Sequence, residues 1–242
     1  MITKEVKTAV IWEDEHILIA NKPSGIAVIP ERFDTEKKDF KSVLEKQLGI
    51  GLFTVHRIDR DTSGIVCFAK TAEAHKAMND LFENRKVEKK YFAFISGRLE
   101  GRVGEMDFPI AHHPAKNGKM IVHPKGKEAF TSFEVIDQFK HAAFVQVELK
   151  TGRTHQIRVH FAAAGHPLLV DPLYGKGEGF MLSSIKKKYN QNDDERPVLG
   201  RLSLHAGALG FVHPFTGETV AFEAALPKDM EATLRLFRKY DL

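Results

Sequence analysis

Cysteine is almost missing from this chain. Cys67 is the only one in 242 residues, which excludes an intramolecular disulfide and any Cys-based metal cage. It lies in the apolar run Ile65-Val-Cys-Phe-Ala69, where an inert buried thiol is the expectation. Long hydrophobic runs are missing as well. Nothing approaches the roughly 18 apolar residues needed to span a bilayer, and Met1–Thr8 carry charge without the apolar core of a signal peptide. Together these absences predict a cytoplasmic, reducing compartment and no membrane partner. A strong charge imbalance is also lacking: 36 Lys and Arg face 32 Asp and Glu, with a pI near 9.0. That balance permits an anionic partner without requiring one.

Several kinds of chemistry lack their residues. Twelve histidines suggest metal, but a helical pair needs i, i+4 spacing. His155 and His160 are five apart, roughly 140° around a helix, and the adjacent His112 and His113 point apart in a strand. No metal site is expected. Gly175-Lys-Gly-Glu-Gly179 lacks the strand–turn–helix frame and trailing Lys-Ser/Thr of a phosphate loop. No G-x-S-x-G offers an acyl-transfer serine. What remains is acidic chemistry with neither metal nor cofactor.

The acidic chemistry centres on Val55-His-Arg-Ile-Asp-Arg-Asp-Thr-Ser-Gly64. Thr62, Ser63 and Gly64 spell a turn, and the apolar run after it reads as a buried strand. Asp59 and Asp61 therefore stand in a charged loop at the lip of a sheet, beside Arg57 and Arg60. Taken alone, such a loop is more often a set of solvated ion pairs than a site.

The rest of the chain reads as strands and a few helices. Short strands are expected at Val10–Trp12 and Ile17–Ala20, a charged loop over Glu31–Asp39 and a short helix over Phe40–Leu48. Thr71 caps a helix whose stripe is Ala74, Ala77, Met78, Leu81 and Phe82. Tyr91–Ser96 is a strand with both faces covered. Gly101–Gly126 reads as extended loop or loose hairpin, and Phe130–Ile136 and Ala143–Leu149 as an antiparallel pair. Thr154 is placed to cap a helix running to Ala164, with Ile157, Phe161 and Ala164 inward and His155 and Arg158 on a neighbouring face. Residues 176–200 look like a surface insertion. Strand-like residues return at Leu202–Leu204 and Thr219–Phe222, and a last helix after Pro227 faces Met230, Leu234 and Phe237 inward. No repeat or linker divides the chain, so one α+β domain over 1–242 is expected.

The Asp59 decapeptide resembles the H-R-L-D-x-x-T-S-G motif of the RluA-type pseudouridine synthases, with Ile58 for Leu. Further pieces follow in that family's order: Asn21-Lys-Pro-Ser-Gly25, Lys90-Tyr91, Thr151-Gly-Arg-Thr-His-Gln-Ile-Arg-Val-His160, Gly165-His-Pro-Leu-Leu169, Asp171-Pro-Leu-Tyr-Gly175, Leu204-His-Ala206 and His213-Pro-Phe-Thr-Gly-Glu218. The resemblance spans about Trp12 to Glu218. It implies a pseudouridine synthase fold, with a mixed, mostly antiparallel central sheet, flanking helices and an active-site cleft. With its start near Trp12, no N-terminal S4 domain is expected. One departure stands out: Val170 occupies the position where the family usually has Gly.

The resemblance also implies a reaction, isomerisation of uridine to pseudouridine in structured rRNA or tRNA, with no cofactor and by a monomer. Asp59 would be the catalytic carboxylate, acting as nucleophile at C1′ or at uracil C6, or as a base at C2′. Arg158 would pair with it, Tyr91 would wall the uracil, and Ile157 would line the pocket. Arg57 would fill the space a flipped base leaves. Lys22, Arg60, Lys89, Lys90 and Arg153 would meet phosphates. Two other readings use the same residues. An RNA-binding protein or chaperone on the same fold would have no need of a carboxylate facing anionic RNA. An N-glycosylase would release free base, whereas a synthase keeps it attached.

Overall fold

The computed structural model describes residues 9–30, 38–186, 189 and 195–242. The expectations for Met1–Thr8 and for most of the Glu31–Asp39 loop lie outside the described residues, as do 187–188 and 190–194 of the expected insertion. In chain order the elements are β1 (Val10–Glu13), β2 (Ile17–Lys22), α1 (Phe40–Leu48), β3 (Phe53–Thr54), β4 (Ser63–Ala69), α2 (Ala72–Glu83), β5 (Glu88–Ser96), β6 (Val103–Asp107), β7 (Ile110–His112) and β8 (Met120–Val122). They continue with β9 (Phe130–Gln138), β10 (Ala142–Leu149), α3 (Gln156–Ala163), a 3-10 turn at Leu182–Ser184, β11 (Leu204–Val212), β12 (Thr219–Glu223) and α4 (Lys228–Tyr240). The described residues fall into two compact units, one reaching Lys89 and including Ala206–Ala225, the other comprising Lys90–His205 and Leu226–Leu242.

The first unit is built on β4, which is buried at all seven positions. It pairs antiparallel with β2 and β3, and β2 pairs antiparallel with β1. A strand buried on both faces needs apolar or small residues throughout, and the sequence supplies them. Ile65, Cys67 and Ala69 pack with Ala74 and Met78 of α2. On the opposite face Phe68 meets Phe40 of α1, ring centroids 6.2 Å apart. Both helices begin at side-chain caps. Asp39 accepts from Ser42 N at 3.0 Å, and Thr71 accepts from Ala74 N at 3.1 Å, each satisfying an orphan N–H of the first turn. Gly49 closes α1 at φ 70°, the left-handed cap that glycine adopts without strain.

In the second unit β5, β10, β9 and β6 form antiparallel neighbours. The Gly101–Gly126 region yields the β7–β8 hairpin, in keeping with the hairpin alternative, and adds the strand β6. The core on the α4 side is aromatic: Phe94, Phe139, Phe144, Phe180 and Phe237 pack with Met230 and Leu234. Phe180 pairs with Leu199 across an isolated bridge, and both are buried. The expected surface insertion is therefore pinned into the core where its two arms meet. Helix α3 also departs from expectation. It starts at Gln156, and its cap is His155 at φ 55° rather than Thr154. All six residues from Gln156 to Phe161 are buried, so Ile157 and Phe161 lie inward as expected and Arg158 is buried with them, while Ala164 is exposed.

Val170 has φ 58°, a left-handed conformation that is a genuine outlier for a β-branched residue. Here the departure from the family's glycine becomes backbone strain. At an ordinary buried site Ala would be tolerated better than Gly. At Val170 the order is expected to invert, with Val170→Gly more stable than Val170→Ala by about 1 kcal/mol. Urea denaturation of the two variants reads the difference directly. Ala retaining its usual advantage would show that the left-handed backbone is not enforced.

Candidate functional site

In the first unit, the Asp59 loop is shaped by hydrogen bonds to its own backbone. Thr62 N donates to the Asp59 carbonyl at 3.1 Å, and Gly25 N donates to the Arg60 carbonyl at 3.0 Å. Ser24 Oγ donates to the Asp61 carbonyl at 2.6 Å. Lys22 Nζ donates to the carbonyls of Arg60 at 2.9 Å, Pro23 at 2.9 Å and Ile26 at 2.8 Å. The Asn21–Gly25 turn is thus a clamp on the Asp59 loop, and this contact explains why the two motifs occur together. It also corrects the assignment of Lys22 to phosphate binding. Lys22 is 0% exposed, and its three N–H donors meet three backbone acceptors. No phosphate reaches Nζ without opening that turn.

The loop's side chains divide by exposure. Ile58 is buried and anchors it. Asp59 is half-buried, and Arg57 and Arg60 are exposed. Arg60 Nε lies 3.3 Å from Asp61 Oδ1, an exposed contact of small value. Gly64 ends the motif at φ 115°, and a Cβ there would stand 2.2 Å from the Ala206 carbonyl oxygen. Only glycine permits that approach of β11 to β4, so the last letter of the motif is a packing requirement.

His56, whose role sequence reasoning did not assign, braces the same loop. Its Nε2 accepts from Cys67 N at 3.0 Å, and its ring stacks on Phe82 at 4.7 Å. A backbone N–H can only donate, so Nε2 must be unprotonated. Burial, and secondly the charge of Lys89, push the His56 pKa down to about 3. In the unfolded chain it returns to about 6.5. The unfolded state therefore binds a proton that the folded state refuses between these values. Stability is complete above about pH 6.5 and is lost as pH falls toward 3. The limiting slope is about 1.4 kcal/mol per pH unit, and about 1 is expected as the average from pH 7 to 4, because near pH 6.5 the unfolded ring is only partly protonated. Urea midpoints measured from pH 7 to 4 should show this slope, flattened in His56→Gln; equal slopes in the two proteins would remove His56 as its source.

The second unit holds Lys90, Tyr91, Arg153, Ile157 and Arg158. Tyr91 is 9% exposed, Ile157 and Arg158 still less. Arg158 makes a two-pronged bond with Asp171, Nε to Oδ2 and Nη2 to Oδ1, both 2.8 Å. Asp171 Oδ1 also accepts from Leu173 N at 2.9 Å and Tyr174 N at 3.1 Å. Burial raises the Asp171 pKa, but the Arg158 hydrogen bonds and charge, with those two N–H donors, outweigh it and hold the carboxyl below its ordinary range. The Tyr174 ring lies 5.1 Å from the Arg158 guanidinium carbon. Its hydroxyl accepts from Met120 N at 2.8 Å and lies 2.9 Å from His155 Nδ1. Asp171 and Tyr174 were visible in the sequence as the Asp-Pro-Leu-Tyr-Gly motif, but nothing there linked them to Arg158.

Gln156 is a further hub. Its Oε1 accepts from Thr151 Oγ1 at 2.8 Å and Arg153 N at 3.0 Å. Its Nε2 donates to the Phe130 carbonyl at 2.9 Å and to Thr131 Oγ1 at 3.0 Å. These bonds fold the Thr151–Thr154 turn and set where α3 can begin. Arg153 Nε donates to the Glu128 carbonyl at 2.8 Å. Lys90 faces Glu148 across β5–β10, with 3.7 Å between charged atoms, and Lys89 sits half-buried 6.0 Å from the Phe82 ring centre. Among the described residues no group of three or more His, Cys, Asp or Glu is arranged to hold a metal ion, and no helix is long and apolar enough to cross a membrane.

Comparison with known proteins identifies the family. Residues 16–163 match the family model for RNA pseudouridylate synthase. Ribosomal large subunit pseudouridine synthase D of Zymomonas mobilis is 35% identical over 245 residues, covering 96% of this chain and 74% of that protein. An uncharacterized RNA pseudouridine synthase of Bacillus subtilis, YjbO, is 35% identical over 239 residues, covering 97% and 78%. The solved structure of human RNA pseudouridylate synthase domain containing 4 superposes with TM-score 0.77 at 24% identity, over 98% of this chain and 95% of that one. At that identity the likeness establishes the fold.

Proposed function

We propose, from the premise that this chain belongs to the RNA pseudouridylate synthase family and is an isomerase acting on RNA, that Asp59 is its catalytic carboxylate and a ribosomal RNA uridine its target. The observation that carries the choice of Asp59 is its setting. A half-buried carboxylate stands on a loop whose backbone is fixed by Lys22, Ser24 and Gly25, while its neighbours Arg57 and Arg60 stay exposed. A rigid loop holds a reacting group in position before substrate arrives. The name of the Zymomonas mobilis relative, a synthase of the large ribosomal subunit, supports ribosomal RNA over transfer RNA.

The reaction breaks N1–C1′, turns the uracil and forms C5–C1′. The C5 proton leaves to solvent and N1 gains one, so the balance needs no oxidant, reductant or cofactor. In this reading Asp59 acts at the sugar–base junction as nucleophile or base. Tyr91 supplies an aromatic wall for the detached base, with Ile157 beside it. Arg158, already oriented by Asp171, is the cation that keeps the catalytic carboxylate ionised. Arg57 occupies the gap left by the flipped nucleotide, while Arg60, Lys90 and Arg153 meet phosphates. The protein works as a monomer in the cytoplasm.

The test is tritium release from [5-³H]uridine-labelled RNA, with ribosomal and transfer RNA offered separately. Release from the ribosomal pool is the expected result. Release from transfer RNA alone would overturn the substrate assignment, and free uracil in place of tritiated water would mean glycosylase chemistry.

A further inference from the structure

The Asp59 loop holds a buried hydroxyl that its fold does not use. Thr62 is 1% exposed, and its Oγ1 meets no hydrogen-bond partner among the described residues. Three other buried side-chain atoms share that condition, His160 Nδ1, His213 Nε2 and Glu195 Oε2. Each of those belongs to a side chain engaged elsewhere. His160 Nε2 donates to the Phe108 carbonyl at 2.9 Å, and His213 Nδ1 accepts from Thr216 N at 3.2 Å. Glu195 Oε1 accepts from Ser183 N at 3.0 Å. Thr62 has a single polar atom in its side chain and leaves it idle. The usual service of a turn threonine, a bond from its hydroxyl to nearby backbone, is not performed. Ser24, by contrast, commits its hydroxyl to the Asp61 carbonyl of the same loop. An unpaired buried hydroxyl is destabilising, and valine would fill the same shape without that penalty. Packing alone therefore does not account for a threonine here, and such an orphan calls for a use.

Position decides what the hydroxyl can reach. Thr62 N donates to the Asp59 carbonyl at 3.1 Å, and Arg60 and Asp61 form the turn between them. The α-carbons of Asp59 and Thr62 in such a turn lie within about 7 Å of each other. Substrate RNA is out of reach of so deeply covered a side chain unless the turn opens, and Lys22 and Ser24 clamp that turn. The Asp59 carboxylate, half-buried, is the charged acceptor at the other end of the same turn. We infer that Thr62 is a positioning residue: its hydroxyl donates to the Asp59 carboxylate when the uridine is bound, and fixes the rotamer from which Asp59 reacts. Rotation between staggered positions exchanges the threonine hydroxyl and methyl, so the donor swings round with the backbone unmoved. A hydrogen bond to an ionised acceptor is among the stronger ones, and holding the reacting oxygen in its productive position raises kcat rather than affinity. The inference rests on Asp59 being the catalytic carboxylate.

The test is steady-state tritium release from [5-³H]uridine-labelled ribosomal RNA, with melting curves, for wild type, Thr62→Val, Thr62→Ser and Asp59→Asn. Valine keeps the shape and removes the donor. Thr62→Val is therefore expected to melt about 2–4 °C above wild type, having shed an unpaired hydroxyl. Its kcat is expected to fall about thirtyfold, the effect of one hydrogen bond to a charged acceptor, with KM within about twofold. Thr62→Ser restores the donor and is expected to keep kcat within about threefold of wild type. A lower melting temperature in Thr62→Val would show that the hydroxyl serves the fold, and would overturn the proposal. A raised KM with kcat unchanged would put the hydroxyl on the RNA itself and overturn it as well. So would a loss in Thr62→Ser as large as that in Thr62→Val, which would implicate packing instead of the donor. Wild-type kcat in Thr62→Val beside an inactive Asp59→Asn would overturn the role of Thr62 alone. Release by Asp59→Asn near the wild-type rate would remove the reading of Asp59, and the role of Thr62 with it.

Discussion

Asp59→Asn is expected to bind RNA within about tenfold of wild type and to release tritium at least about 10⁴-fold more slowly. Asparagine keeps the size of the side chain but can neither attack carbon nor take a proton at neutral pH. The bonds that shape the loop run to the carbonyls of residues 59–61, so the substitution leaves the clamp from Lys22, Ser24 and Gly25 in place. A melting temperature near wild type is therefore part of the expectation. Loss of a negative charge beside RNA should tighten binding if it changes it at all. Turnover above about one hundredth of wild type would remove Asp59 from the chemistry. Lost turnover together with a collapsed melting transition would instead give it a structural role.

What the sequence discloses and what it hides divide along sequence distance. Helix α2 is legible because its cap, Thr71, lies three residues from the N–H it satisfies, whereas Asp39, which caps α1 in the same way, passes in the sequence for the end of a charged loop. Strand β4 is legible because burial on both faces leaves an unbroken apolar run. Val170 is legible as an anomaly, since a left-handed position asks for glycine wherever it occurs. The hidden features all depend on distant partners. Lys22 beside a Pro-Ser-Gly turn has the look of a surface lysine, yet one of its carbonyl partners, that of Arg60, is 38 residues away. Thr154 is a sound cap by local chemistry, but Gln156 is drawn to Phe130 and Thr131, 26 and 25 residues distant, and the helix starts where that tie allows. Strand β11 is legible only at Leu204, because a polar His205 and the small residues Ala206, Gly207 and Ala208 follow it. Ala206 is where β11 comes close against Gly64, which no local pattern reveals. Asp59 itself is legible as a residue and not as a geometry, since its rigidity is conferred by a turn more than thirty residues earlier.

The buried pair of Arg158 and Asp171 makes the second large expectation. Both side chains are almost wholly buried, at 3% and 0% exposure, and each prong of the pair is 2.8 Å. Asp171→Ala strands a guanidinium in the interior and removes the acceptor that turns Leu173 and Tyr174. Breaking one side of such a pair costs about 3–5 kcal/mol, equivalent to roughly 10 °C in melting temperature for a chain of this size. Replacing both partners with apolar residues, Asp171→Leu with Arg158→Met, should recover part of that loss, because no buried charge is left uncompensated. Activity should separate the two variants from wild type in the same way, since neither retains an oriented guanidinium. Recovered stability without recovered turnover would show that the pair is kept for chemistry. The pH dependence has a defined sign. With its folded pKa below the ordinary value of about 4, Asp171 contributes its full stability at neutral pH and loses it only as pH falls below that value toward the folded pKa. That window lies largely beneath the one assigned to His56. Urea midpoints of wild type and His56→Gln should run parallel only below about pH 3, where His56 is protonated in the folded as well as the unfolded state. A cost under about 1 kcal/mol for Asp171→Ala would mean that water reaches the pair, and Arg158 would then lack the rigidity its proposed role requires.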